Sequence, residues 1–420
     1  MNSLNVLVYD DETNVAERLA GEIREASSGE ASVDAKGGED FGELLDVLHE
    51  RRKDTSSQGT GSGNGKAHEA DEADVIVVDY DLREFSDAAT GSRLAYLLRC
   101  FSECGLIVIV NQYGTNTFDL GLSLGFSSGF SNIHFDFADL HIGDTQIGNP
   151  GLWRADFEGY RPWYWPVIPG ARRDFEKCVK EVREHLDESI TDFFGLDDVA
   201  DWIPGRARSF LSSTLDIREV TFRNFGESYH SGVERKDKGV FDSELFPRIV
   251  AARMFAFLNS ILMPEQSVIV DAPHLVSRFP SLIGDGRADM DLWNTLCDLS
   301  LVNEEELISE DFAKHRFPRP HWLWRPAWYW PNINRDEEIE EVKDPWSIHN
   351  VDWVFCENIS QFAPVDVAQE FRAYVSPPFI KRFVLRDETE DAIRYVSHLG
   401  DRSRLDPSIV DYVPQAAFGL

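Results

Sequence analysis

Through the first 145 residues, short apolar runs alternate with stretches of helical spacing, and this rhythm restricts the fold more than any other feature. Residues 4–9 (LNVLVY), 31–35 (ASVDA), 75–79 (VIVVD), 105–110 (GLIVIV) and 138–142 (ADLHI) have strand length. Between them, Val15, Leu19 and Ile23 recur at helical spacing, as do Phe41, Leu44, Leu45 and Leu48, and then Leu94, Leu97, Leu98 and Phe101. A shorter helix is expected around Phe118 to Leu124. Apolar strands joined by amphipathic helices imply an α/β fold: a five-stranded, doubly wound parallel sheet covered on both faces. Residues 53–73 interrupt the rhythm with a polar, Gly/Ser-rich string, read as a flexible insertion within a domain spanning 1–145.

In doubly wound sheets, ligands sit beyond the carboxyl ends of the strands. Asp10 and Asp11 follow the first strand and Asp79 ends the third, so the fold is expected to bring three carboxylates to one rim. Such a trio repels itself, and a hard divalent cation would relieve it; Mg²⁺ favours a few carboxylates with water. A plainer account also fits. An Asp after a strand often starts a loop or caps a helix, and acidic residues are favourable at a helix N-terminus.

VLVYDDE, VIVVDYDL with Gly91 downstream, and LIVIVN resemble the receiver domain of bacterial response regulators. The resemblance covers about the first third of the chain and implies a flavodoxin-like fold. It implies that Asp10, Asp11 and Asp79 hold Mg²⁺, and that Asp79 accepts a phosphoryl group from a histidine kinase. The chain departs from the family at two switch positions. Asn111 and Gln112 stand where a Ser or Thr is usual, and His141 or Gly143 where a Lys is usual. Losing that hydroxyl and ammonium removes two electrostatic partners of a phosphorylated state. The pattern resembles the atypical receivers of bacterial conflict and phage-defence operons. It implies a regulatory protein whose receiver controls a C-terminal domain, with a histidine kinase or defence component as partner. A non-catalytic pseudo-receiver that docks proteins is the alternative.

Charge sharpens the choice of partner. Against 41 Lys and Arg stand 74 Asp and Glu, a formal net charge of −33. A field of that sign repels nucleic-acid backbones and anionic membranes, so neither is an expected partner. No apolar run approaches the length of a membrane helix and the first residues lack a signal-peptide pattern, so a cytoplasmic protein is expected. Cys100, Cys104, Cys178, Cys297 and Cys356 have no metal-ligand spacing and are expected to be buried, reduced thiols.

Residues 146–420 lose the rhythm and are expected to form a mainly helical, mixed α+β region, which at this length is divisible. Two related aromatic strings stand out: Arg161-Pro162-Trp163-Tyr164-Trp165-Pro166, and Leu323 to Pro331 containing Arg325, Trp328 and Trp330. Two readings stand side by side. The rings fill a core, each polar tip finding a partner, or Arg161, Trp163, Trp165, Arg325, Trp328 and Trp330 form a recognition platform for stacked ligands. Phe175 through Phe193 keep helical spacing up to Gly195, and residues 245–263 form a broad-faced central helix. Two further constellations carry chemistry. His134, Asp136, Asp139 and His141 cluster along the expected fifth strand, and Asp271 with His274 could serve as an acid–base pair. No nucleophile-elbow, phosphate-loop or zinc-protease motif occurs, which argues against an enzyme without excluding one.

Overall fold

The structure is a computed structural model; it describes residues 4–27, 31–56, 67–79, 82, 91–111, 133–136, 168–212, 214–229, 245–263, 266–278, 310–323, 326–339, 352–356, 361–371 and 382–385. The N-terminal strands are β1 (Leu4–Asp10), β2 (Ala31–Gly37), β3 (Val75–Asp79), β4 (Leu106–Asn111) and β5 (Ile133–Asp136). They lie in the order β2-β1-β3-β4-β5, each neighbouring pair parallel. The helices α1 (Thr13–Ala26), α2 (Glu39–Ser56) and α3 (Gly91–Phe101) connect them, giving an α/β arrangement. Residues 6–10, 75–79 and 106–110 of the strands are buried throughout, as a parallel sheet with two covered faces requires. Leu7, Tyr9, Ile76, Val78, Ile107 and Ile109 share the cluster beneath α2 and α3. Alternate residues, Val6, Val8, Val75, Val77 and Val108, are also buried and by strand alternation face the other way.

Three expectations need correction. The fifth strand is Ile133–Asp136, whose IHFD sequence alternates apolar and polar residues, and it takes the edge beside β4; residues 138–142, like the helix expected at 118–124, lie outside the described residues. The insertion of 53–73 is shorter than its composition implied. α2 runs on to Ser56, and Glu69–Asp71 form a 3₁₀ turn whose start is closed by a capping box. There the Asp71 carboxylate accepts from the backbone N–H of His68 while the His68 ring accepts from that of Ala70.

The third correction concerns Phe175 to Phe193. Helix α4 (Ile168–Glu184) stops early, and the chain re-enters helix only as the single turn α5 (Ile190–Phe193). The segment between them pairs with another stretch of chain: the Leu186 carbonyl accepts from Arg223 N–H, and Ile190 N–H donates to Val220 O. These long-range bonds replace the helical ones. Gly195 does end the run, at φ +67°.

Beyond α5 come α6 (Gly205–Leu211), α7 (Phe222–Tyr229) and α8 (Phe246–Ala256), the last continuing as a π-helical stretch to Leu262. All of α8 but Phe255 is buried, Arg248 and Arg253 included, so the helix is central as expected. The remainder carries more strand than its sequence suggested. β6 (Ile269–Asp271) pairs antiparallel with β7 (Ala327–Tyr329), while α9 (Ala272–Arg278) and α10 (Trp330–Arg335) follow directly on them. β8 (Trp353–Cys356), β9 (Gln361–Pro364), β10 (Ala368–Phe371) and β11 (Arg382–Leu385) form a second sheet in the order β10-β11-β8-β9.

The two regions share one core. The cluster that lines α2 and α3 continues through Phe175, Cys178 and Val182 of α4 into Phe246, Val250 and Phe257 around α8. A smaller cluster joins Val270, Trp328 and Trp330 to Val354, Ala363 and Phe383 of the second sheet. α3 shows the consequence of this packing: every residue from Leu94 to Phe101 is buried. A helix so enclosed must be apolar nearly all round, which LLRCF and its neighbours are, Arg99 excepted.

Candidate metal centre

The carboxylate rim is built by register. Tyr9 pairs with Val78 across β1 and β3, so the next residues, Asp10 and Asp79, stand level at the strand ends. Asp11 is the first residue past β1. Each of the three offers one carboxylate oxygen, and these oxygens lie within 4.8 Å of one another. Asp10 and Asp79 are buried, at 2% and 3% exposure, while Asp11 is half-buried. Gly37 stands opposite Asp10 in β2, and a side chain there would drive a Cβ to 2.5 Å from the Thr13 Cα. That glycine lets the β2–α2 turn pass against the start of α1 and keeps the rim compact.

The local chemistry combines both readings of the acidic pair. One oxygen of Asp10 accepts the Glu12 N–H at 2.8 Å, so this carboxylate does shape the turn into α1. Its burial, reinforced by the neighbouring Asp11 charge and opposed by that N–H bond, pushes the carboxyl up to about 7. A hard cation at the rim would favour the ionised form, and three oxygen donors suit Mg²⁺ or Ca²⁺.

The other candidates separate. Asn111 closes β4 opposite Asp136 of β5. His141, Asp139, Arg161, Trp163, Trp165 and Arg325 lie outside the described residues, as does Cys297. Trp328 and Trp330 are buried at 1% and 2% within the smaller core, as the filling reading expects. Between them, the Tyr329 hydroxyl donates to the Phe194 carbonyl, the polar-tip partner that the filling reading requires. Cys100, Cys104, Cys178 and Cys356 are free and buried, and burial pushes the Cys100 thiol up to about 12.

Asp271 and His274 do meet. The imidazole Nδ1 lies 2.6 Å from Asp271 Oδ1, which also accepts the His274 backbone N–H. Both side chains are sealed, at 0% and 4% exposure, and the ring packs edge-on to Phe355. A pair so enclosed acts as a polar staple between β6 and α9.

Sequence reasoning missed the opposite end of the sheet. There, four arginines donate to main-chain carbonyls around the α3–β4 turn. Arg51 Nη1 reaches Phe101 O at 2.7 Å, Arg248 Nε reaches Ser102 O at 3.0 Å and Arg99 Nη1 reaches Gly105 O at 3.0 Å. Arg172 Nη2 reaches Ala73 O at 2.6 Å. Cations are favourable where helix carbonyls run out. The Arg99 and Arg248 guanidiniums lie 4.9 and 5.3 Å from the Phe175 ring, and Glu176 accepts both Arg248 Nη atoms at 2.6 and 2.7 Å. Part of the signal lay in the sequence as arginines inside apolar helices, at 99 and 248.

No family model, curated protein or solved structure matches the chain. Among the described residues, no helix is long and apolar enough to cross a membrane.

Proposed function

We propose that the N-terminal region is a receiver-like signalling module whose rim of Asp10, Asp11 and Asp79 binds Mg²⁺, and that its state regulates the C-terminal region. The observation that carries this reading is the convergence of three carboxylates from two adjacent strand ends within 4.8 Å. The parallel strand order β2-β1-β3-β4-β5 supports the flavodoxin-like part of it. Bound Mg²⁺ would supply positive charge at the rim. Asp10 orients through the Glu12 N–H, and on this reading Asp79 accepts the phosphoryl group, as the resemblance to receivers implies. A histidine kinase or a defence-system component is the partner this reading calls for.

Titration calorimetry with MgCl₂, followed by beryllofluoride or acetyl phosphate with Mg²⁺, tests the proposal. The expected result is saturable Mg²⁺ binding that Asp79→Asn abolishes, with a mass gain at Asp79 under acetyl phosphate. No heat of binding and no thermal shift would overturn it.

A pseudo-receiver adaptor is the second reading. Asn111 at the end of β4, in place of a hydroxyl residue, favours it. Mg²⁺ binding without any acyl-phosphate formation, with partner capture unchanged in Asp79→Asn, would select it.

A further inference from the structure

We infer that the C-terminal region senses the carboxylate rim through α3 and the arginine-capped turn at its end. The inference rests on the cation-dependent reading of Asp10, Asp11 and Asp79, and names the route by which that site is read.

β3 ends on Asp79, Leu82 just beyond it is fully buried, and α3 begins at Gly91. α3 packs against β3 and β4 on one side, α2 on another and α8 on a third. Enclosed from Leu94 to Phe101, it cannot move without displacing side chains of α8. Its far end is held from both regions at once. Arg51 and Arg99 come from the sheet region; Arg172 and Arg248 come from α4 and α8.

The corner is also intolerant of adjustment. A Cβ on Gly105 would lie 2.3 Å from the Asp74 carbonyl oxygen, and Gly105 N–H already donates to Ala73 O. The Ala73 carbonyl therefore accepts from the β4 side and from Arg172 together. A displacement at the top of α3 reaches a bottom turn that cannot absorb it, and α4 and α8 are the elements bonded to that turn. By linkage, a contact on this route that responds to the cation must also set the affinity for the cation.

The test uses the full chain and Mg²⁺ alone. Hydrogen exchange at the amides of 102–106 and 246–256 is measured with and without Mg²⁺, and Mg²⁺ affinity is measured in wild type, Arg248→Lys, Glu176→Gln and the remote control Arg223→Lys. Arg248→Lys keeps the charge and loses the fork; Glu176→Gln keeps the Ser102 bond, so a folded variant is available if the first is unstable. The inference expects altered exchange in both segments, and a change in dissociation constant of about fivefold or more in a folded corner variant with none in the control. Unchanged exchange in either segment, or a smaller change in affinity, overturns it while leaving the cation site standing. If wild type binds no Mg²⁺, the cation reading itself fails and takes this inference with it.

Discussion

Asp10 and Glu181 are both carboxylates withdrawn from solvent, and their surroundings drive them in opposite directions. Around Asp10, burial dominates and Asp11 adds like charge, against one N–H donor, so the carboxyl rises to about 7. At Glu181, burial also pushes upward but is overcome: Trp322 Nε1 donates at 2.7 Å, His321 Nε2 lies at 2.8 Å and Arg319 Nη1 at 3.2 Å, holding the carboxyl below its ordinary value. The two sites differ less in depth than in what was built around them. A carboxylate supplied with donors is held ionised by the chain itself; one placed among other carboxylates is the kind that a cation would hold ionised.

This contrast can be broken most forcefully at Glu181. Glu181→Ala strands three donors that tie α4 to the 319–322 segment, and is expected to cost about 3 kcal/mol in urea unfolding. A cost near zero would show that solvent satisfies those donors. Asp10→Asn should act in the opposite sense. In Mg²⁺-free buffer at pH 8 it removes a charge that burial disfavours, and should stabilise the chain by about 1–2 kcal/mol while abolishing the response to Mg²⁺. Destabilisation under those conditions would mean the apo rim is already compensated.

pH sharpens the comparison, with opposite signs at the two sites. Asp10 holds its proton more tightly folded than unfolded between the ordinary carboxylate range and about 7, so its contribution to stability declines as pH rises through that window. The stability gap between Asp10→Asn and wild type should therefore widen from pH 5 to pH 8, and the Mg²⁺-induced rise in melting temperature should be larger at pH 8 than at pH 6. Glu181 contributes stability that is present above its ordinary value and lost as pH falls through its lowered one. His321 is likewise lowered, burial outweighing the Glu181 charge, so its contribution is lost as pH falls below about 6.5. The smallest effect is expected at the exposed Asp187–Arg223 pair, 2.6 Å apart. Asp187→Asn should leave the urea midpoint unchanged, since solvent screens such pairs.

The rim was legible because its information is local. A strand ends, an Asp follows, and parallel pairing brings strand ends together regardless of what lies between. The same rule read β3 to the residue, at Val75–Asp79. It did not read Ile133–Asp136, which pairs with β4, because IHFD is too short an alternation to stand out from the HFDFADLHI stretch that overlaps it. The break after Glu184 was invisible for a different reason. Helical periodicity continues through His185–Ser189, and what ends the helix is a main-chain partner at 220–223. The Glu181 hub and the arginine corner were missed on the same account: apart from Arg99, their donors come from positions 50 to more than 140 residues away in sequence. Asp271 and His274 were found as a pair because three residues separate them, but their enclosure beside Phe355 depends on a distant strand.

The shared core around α3 bears on how such a protein can be divided or inherited. A module whose middle helix is wrapped by its downstream neighbour is not an exchangeable cassette. Cutting after residue 145 would leave Leu94, Leu98 and Phe101 without the α4 and α8 side chains that share their core, and two of the four arginines would leave with those helices. Grafting the first third onto another output would transplant an open wound along α3. The N-terminal sheet and its present companion are thus bound to diversify together, each fixing the shape the other must keep.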